Sequence, residues 1–304
     1  MSVRPKKRLG QHFLTDPNTI RRIVDAVEAP AGARVVEIGP GEGALTGGLL
    51  ARYPDLTALE VDPEAVGHLR QQFPGLDVRE GDVLDVDWPS LRVGAEGRGQ
   101  GMEDAETTDD GSRQRGGKPP AGGEETSAHS HAPGPSSHQP QASLLHVVGN
   151  LPYYITSPIL FALLDARAHV ARAVVMMQKE VADRLAAAPG SKTYGTLSVY
   201  FALYAETQVL FDVSRHCFRP KPSVESAVVA IDFAAAIPPD VPFEALQRTV
   251  RAAFGQRRKM LRNSLGALAR GAGVDLPEWA ATLRPEAVPP ADFVRLARLL
   301  SSRP

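Results

Sequence analysis

The stretch Arg34-Val35-Val36-Glu37-Ile38-Gly39-Pro40-Gly41-Glu42-Gly43 decides the architecture. An apolar run of strand length feeds a Gly-x-Gly-x-Gly turn, and the residues from about Ala44 to Arg52 read as a helix. A buried strand, a glycine turn and a helix in that order form the first unit of a nucleotide-binding α/β domain. Only glycine lets a backbone come so close to a ligand.

Outward from this unit, Leu56 to Val61 reads as a second strand ending in Glu60-Val61-Asp62. Glu60 stands 19 residues beyond Gly41, where an acid can accept hydrogen bonds from both hydroxyls of a ribose. The third glycine comes one position earlier than in the dinucleotide fingerprint G-x-G-x-x-G, which weakens an NAD-dependent dehydrogenase reading. Glu37 before the turn and a compact loop suit a nucleoside with no pyrophosphate to cradle, and the cofactor inferred is S-adenosylmethionine. A third strand, Leu76 to Arg79, leads to Glu80-Gly81-Asp82-Val83. There the Asp82 carboxylate can take the amino group of an adenine while the neighbouring backbone at Val83 meets a ring nitrogen. Gly-Asp also marks an ordinary turn, so this position alone decides little.

The apolar run resumes at Leu144 and stops at Asn150-Leu151-Pro152-Tyr153, followed by the helix-start residues Thr156, Ser157 and Pro158. In an open α/β sheet the carboxyl end of a strand is where ligands bind. Asn150 offers an acceptor and two donors, Pro152 fixes the backbone so that carbonyls can face a substrate, and Tyr153 gives a flat face for stacking. An amide oxygen and a carbonyl facing an aromatic amine would hold a base by its amino group. An ordinary Asn-x-Pro turn fits the tetrapeptide equally well.

Between these strands, residues 94 to 143 contain no Val, Ile, Leu, Phe, Tyr, Trp or Cys, and ten Gly and five Pro sit among polar residues. Such a segment cannot bury enough apolar surface to offset its ordering entropy, and it reads as a disordered insertion. It carries a net charge of -4, so the formal -1 of the 304-residue chain becomes +3 for the remainder. His129, His131 and His138 within it read as solvated linker rather than metal ligands. The single cysteine, Cys217, excludes an intramolecular disulfide and a thiolate zinc cluster. With no signal-peptide pattern and no apolar span of membrane length, the chain reads as soluble and cytoplasmic.

The N-terminal arm, with Lys6, Lys7 and Arg8, runs into Gly10-Gln11-His12-Phe13-Leu14, and Asp16-Pro17 then starts a helix. Its cations suit either a solvated tail or phosphate contacts. A strand follows at Ala173 to Met177, and Gln178-Lys179-Glu180-Val181 opens a helix. Strands at Gln208 to Val213 and Ala227 to Phe233 bracket Cys217-Phe218-Arg219-Pro220-Lys221-Pro222. Two prolines stiffen that loop, which presents Phe218 as a fixed aromatic and Arg219 and Lys221 as cations, unless Phe218 simply fills the core. Beyond Pro239 the pattern is helical. Val250, Phe254, Leu261, Leu265 and Leu268 make a buried stripe, with Arg251, Arg258 and Arg262 on another face at spacings of 7 and 4. That face is either solvated or a phosphate track. Helices at Leu276 to Leu283 and Pro290 to Leu300 close a small helical domain.

Taken in order, the segments G-Q-H-F-L, E-I-G-P-G-E-G-A-L-T, L-E-V-D, G-D-V-L-D, N-L-P-Y, Q-K-E-V, Y-G-T-L-S-V, F-R-P-K-P-S-V and Q-R-R-K-M-L-R-N-S-L strongly resemble the ribosomal RNA adenine dimethyltransferase family. The resemblance implies a Rossmann-like class I methyltransferase sheet spanning residues 1–233, interrupted by the insertion, and a smaller all-helical RNA-binding domain over 234–304. It implies a cofactor site at Gln11, His12, Leu14, Gly39, Gly41, Glu60, Asp82, Val83 and Asn150. The target adenine would be held by Asn150, Leu151, Pro152, Tyr153 and Phe218. RNA would be gripped by Lys6, Lys7, Arg8, Arg219, Lys221, Arg251, Arg257, Arg258 and Arg262. The implied reaction is dimethylation of the N6 amines of two adjacent adenosines near the 3′ end of 16S rRNA, by a monomer acting on the small ribosomal subunit or its precursor. His12 and Tyr154 depart from the family pattern, where Asn is usual at both positions, and the family offers no role for the insertion. Two alternatives share these motifs: a large-subunit rRNA methyltransferase of the macrolide-resistance type, and a ribosome assembly factor in which catalysis is secondary.

Overall fold

A computed structural model describes residue 6, residues 10–92 and residues 144–301. The insertion, its three histidines, Lys7 and Arg8 lie outside the described residues. From the N-terminus the elements run β1 (Phe13–Leu14), α1 (Pro17–Ala26), β2 (Val35–Ile38), α2 (Thr46–Arg52), β3 (Thr57–Glu60), α3 (Pro63–Gln72), β4 (Asp77–Glu80) and α4 (Trp88–Leu91). After the insertion come β5 (Leu145–Asn150), α5 (Thr156–Asp165), β6 (Val170–Gln178), α6 (Lys179–Leu185), α7 (Thr196–Tyr204), β7 (Glu206–Val213), β8 (Phe218–Arg219) and β9 (Ser226–Asp232). The chain then turns helical with α8 (Phe243–Gly255), α9 (Leu261–Ser264), α10 (Gly266–Gly271), α11 (Glu278–Thr282) and α12 (Pro290–Ser301).

Seven strands form one sheet in the order β4-β3-β2-β5-β6-β9-β7. The pairs from β4 through to β6 are parallel, and β9 runs antiparallel to both β6 and β7. Strand order reverses between β2 and β5, and a crevice opens at such a switch point beyond the carboxyl ends of the strands. The two ends meet closely: a Cβ on Gly149 would lie 2.5 Å from the Ile38 carbonyl oxygen, so only glycine fits one residue before Asn150.

Successive side chains on a strand face opposite ways, and the core divides accordingly. Val35, Val148, Val174 and Met176 join Ile23, Leu49 and Leu69 from α1, α2 and α3 in one apolar cluster. Val36, Ile38, Val147, Ala173 and Val175 join Ile159 and Leu163 of α5 and Phe201 of α7 in the other. Leu246, Val250, Leu261, Leu265 and Phe293 belong to this second cluster too, so the helices beyond residue 233 share the core of the sheet. Tyr194, wholly buried, donates its hydroxyl to the Val288 carbonyl at 2.9 Å and ties the two together.

The C-terminal helices correct one expectation. Val250, Leu261 and Leu265 are buried as the spacing predicts, but no single helix carries them. Helix α8 ends at Gly255, Gln256 leaves helical geometry (φ -126, ψ 52), and the Lys259 N–H turns back to the Gln256 carbonyl at 2.8 Å. The Leu261 N–H bonds across to Leu283 at 2.8 Å. Arg251, Arg258 and Arg262 therefore sit on α8, a turn and α9, not along one helical face. No helix among the described residues is long and apolar enough to cross a membrane.

Candidate active site

At the carboxyl ends of β2, β3, β4 and β5 lies an open cleft of about 770 Å³, its solvent-filled mouth included. Its floor and one wall come from the strand ends: Ile38 and Gly39, Leu59 to Val61, Gly81 to Val83, and Asn150 with Leu151. The N-terminal segment Gly10 to Phe13 crosses beside it, and Pro152 to Ile155 form the opposite lip. No Lys or Arg is among the described residues lining it, whereas Glu60 and Asp82 are. That balance disfavours phosphate groups seated within the cleft and suits a cationic nucleoside.

Glu60 is 4% exposed, and its carboxylate is held by backbone donors alone. Oε2 accepts from the Gly41 N–H at 3.0 Å, and Oε1 accepts from Val61 at 3.0 Å and Asp62 at 2.9 Å. Burial pushes its pKa up and these N–H bonds pull it back, leaving it raised overall. Gly41 supplies its donor with φ +57 and with the Phe13 ring against its Cα, where a Cβ would come within 2.9 Å of that ring. Glu37, one strand over and 1% exposed, has a single side-chain donor, the Thr46 hydroxyl at 2.7 Å. Burial drives its pKa up to about 8, with Glu60 adding repulsion. Asp82 is exposed and accepts from the Leu84 N–H at 3.0 Å.

On the other side, Asn150 closes β5, and its Nδ2 donates to the His12 carbonyl at 2.9 Å. A carbonyl can only accept, so the amide presents its NH2 there and keeps Oδ1 as its remaining acceptor. Leu151 is buried and donates its N–H to the Met176 carbonyl at 2.9 Å, which fixes the peptide that follows Asn150. The Thr156 hydroxyl caps the Pro152 carbonyl at 3.0 Å. The Tyr153 hydroxyl lies 2.5 Å from Ser226 Oγ, and burial raises its pKa. Its ring packs against His12 with centroids 5.3 Å apart.

The cleft thus unites Asn150, Leu151, Pro152 and Tyr153 with Gln11, His12, Gly39, Gly41, Glu60, Asp82 and Val83. Two residues expected there are elsewhere. Phe218 is 5% exposed, pairs with Leu14 in the small β1–β8 sheet and joins the apolar cluster, because that pairing turns its ring inward. Leu14 is likewise buried and borders a neighbouring cavity that also reaches Glu37 and Asn150. Gln11 touches the cleft, but its amide is engaged by the Lys6 backbone N–H at 2.8 Å and by Asp62 at 3.3 Å. Lys6 itself pairs with Asp62 at 2.5 Å and Glu64 at 3.2 Å. Arg257 donates to the Lys192 carbonyl at 2.6 Å and pairs with Glu286 at 3.4 Å. Arg219, Lys221, Arg251, Arg258 and Arg262 are exposed. Tyr154, singled out in the sequence only as a departure from the family pattern, lines the cleft at 53% exposure, and sequence reasoning missed Ser226, the partner of Tyr153. Nothing near Ser226 in sequence could have signalled it. Among the described residues no group of His, Cys, Asp and Glu is placed to hold a metal ion.

The family model "Ribosomal RNA adenine dimethylase" matches residues 3–300. A protein of Salinibacter ruber called ribosomal RNA small subunit methyltransferase A is 43% identical, the match covering 98% of this chain and 86% of that one. Its namesake in Xanthomonas euvesicatoria is 39% identical, over 98% and 97%. Among solved structures, a dimethyladenosine transferase from Plasmodium falciparum superimposes with a TM-score of 0.63 at 20% identity, covering 94% of this chain and 96% of that one. The 23S rRNA methyltransferase ErmE gives 0.55 at 25%, covering 95% and 100%.

Proposed function

Because the chain belongs to the ribosomal RNA adenine dimethylase family, we propose that the strand-tip cleft is where it methylates adenine, with Asn150 and the Leu151 carbonyl as the grip on the base. The protein is an S-adenosylmethionine-dependent 16S rRNA adenine dimethyltransferase. The large-subunit alternative is not favoured, since the relatives at 36–43% identity are small-subunit enzymes by name.

The residues present fit the cofactor. Glu60 would accept from the ribose hydroxyls, Asp82 from the adenine amine, and the backbone of Gly39 and Gly41 would border the rest. Bound there, the cofactor supplies an electrophilic methyl on a positively charged sulfur that leaves as a neutral thioether. What remains for the chain is orientation. An adenine amine is a poor nucleophile because its lone pair is delocalised into the ring. If Asn150 Oδ1 and the Leu151 carbonyl accept its two hydrogens, they favour a pyramidal nitrogen with the lone pair aimed at the methyl, a gain through positioning and electrostatics. Nitrogen then sheds a proton to solvent, so no buried base is needed. The base must leave its stack first, and a ring at the lip can restore about 1–3 kcal/mol of lost stacking. Tyr153, fixed at both its hydroxyl and its ring face, supplies that platform.

The single observation that carries this reading is the Asn150 amide tethered by its nitrogen at the cleft wall, with its oxygen spared. The targets we assign are two adjacent adenosines near the 3′ end of 16S rRNA, within the small subunit or its precursor. A cytoplasmic monomer would act through a catalytic part at residues 1–233, and residues 234–304 would add RNA contacts at Arg251, Arg258 and Arg262, with Arg219 and Lys221 on the cleft side. Incubation of the purified protein with labelled cofactor and separated ribosomal subunits tests it. Mass spectrometry should find N6,N6-dimethyladenosine at two neighbouring positions of small-subunit RNA; label confined to large-subunit RNA would sink the assignment.

A further inference from the structure

His12 is where three distant pieces of the chain meet. Its Nδ1 lies 2.7 Å from the Pro220 carbonyl oxygen, which can only accept, so Nδ1 carries the proton and donates. Its ring lies against Tyr153, tilted by 30°. Its own carbonyl receives the Asn150 amide. Segment 12, segment 150–153 and segment 220 are thereby tied at one residue that borders the cleft. The resemblance assigns this position to the cofactor, yet its side chain serves the other side of the cleft.

We propose that His12 is a positioning residue for the target adenine, acting by fixing the Asn150 amide and the Tyr153 ring. The proposal rests on the reading of Asn150 and Tyr153 as the base clamp. An asparagine amide has two orientations related by a half-turn, and the wrong one would aim donors at an amine that is itself a donor. An acceptor at His12 selects the right one, provided that the backbone there stays put. The bond from Nδ1 to Pro220 and the ring contact hold that backbone. Tyr153 is pinned at its hydroxyl by Ser226, and the imidazole restrains the swing of its ring about that anchor. The second transfer is the more demanding, because a mono-methylated amine is bulkier and has one hydrogen left for two acceptors. A loosened clamp should therefore stall between the first methyl and the second.

The test uses the full chain with His12→Ala, His12→Asn and His12→Phe, alongside Asn150→Ala. His12→Ala should lower kcat about tenfold, the fold-change of one lost hydrogen bond, with cofactor affinity changed less than about twofold. The ratio of mono- to dimethylated adenosine should rise. His12→Asn retains a donor for Pro220 and His12→Phe retains a ring for Tyr153, so each should recover part of the rate. A His12→Ala variant that binds S-adenosylhomocysteine poorly by calorimetry, yet turns over normally at saturation, would overturn the proposal in favour of a cofactor contact. A fall in rate that tracks loss of folded protein, with the product ratio unchanged, would overturn it as well. Full transfer by Asn150→Ala would remove the clamp reading and this proposal together, whereas an inert Asn150→Ala beside an unaffected His12→Ala removes only the latter.

Discussion

The two halves of the cleft are built by different means. On the cofactor side, Glu60 is held by N–H groups one, two and 19 residues away, and Asp82 by one two residues on. On the base side, Asn150 reaches His12 across 138 residues, His12 reaches Pro220 across 208, and Tyr153 reaches Ser226 across 73. One half is assembled within a single stretch of chain, from Gly41 to Leu84. The other exists only when the sheet has closed and the N-terminal segment has paired with β8. Injury to the first should weaken cofactor binding, and injury to the second should spare binding and cost turnover.

Asn150→Ala is the sharpest way to break that contrast. It removes an acceptor needed only as the amine becomes nucleophilic, so single-turnover transfer should fall about 10²–10³-fold, as for the loss of a donor from an oxyanion hole. Cofactor affinity measured by calorimetry should change far less. Comparable losses in both would mean that the halves are not separable. Glu60→Gln should behave oppositely. Hydrogen bonds to a charged group contribute about 1.5–3 kcal/mol, so the cofactor dissociation constant should rise roughly ten- to a hundredfold while turnover at saturation stays near normal.

Glu37 sharpens the comparison within the cofactor half, because it is as buried as Glu60 but has one hydroxyl donor where Glu60 has three N–H groups. With its pKa raised from 4.5 to about 8, the folded chain keeps a proton there that the unfolded chain has lost. Stability of the ligand-free protein should therefore fall as pH rises from about 4.5 to about 8 and level off above, by an amount on the order of a few kcal/mol. Urea melts across that range should show the decline in the parent and a flatter profile in Glu37→Gln. A parent profile parallel to that of Glu37→Gln would show the carboxyl to be ionised in the fold.

How far the sequence could be read follows the same divide. The glycine turn, Glu60, Asp82 and the strand ending at Asn150 were legible because each announces itself within a short window of residues. The strands fall within a few residues of their expected bounds, and the central parallel strands β2, β5 and β6, buried on both faces, write themselves as apolar runs. Phe218 was not legible: a rigid proline loop suits an aromatic held out or one turned in, and only the pairing of Leu14 with Phe218 decides for the core. Nor was the break after Gly255, where the helical spacing of Val250, Leu261 and Leu265, 11 and 4 residues apart, runs on across the end of α8. Burial of that stripe is set by the sheet face beneath it, and helix continuity by a C-cap that apolar spacing does not encode.

That break bears on the smallest effect expected. Cations at 7- and 4-residue spacings on one helix would lie along a single track, and their contributions to RNA binding would couple through it. Arg258 in a turn and Arg262 on α9 belong to separate pieces of backbone, and among the described residues no ion pair engages either. Each should then act as an independent phosphate contact. Arg258→Ala and Arg262→Ala should each weaken RNA binding a few-fold and reduce the salt slope by about 1. The double variant should show the two losses adding in log K to within about 0.5 kcal/mol. Arg257, tied to Lys192 and Glu286, should leave the salt slope unchanged when replaced by Ala. Titrations of small-subunit RNA at several salt concentrations separate these cases. Strong non-additivity between positions 258 and 262 would restore the continuous track that the turn at Gln256 argues against.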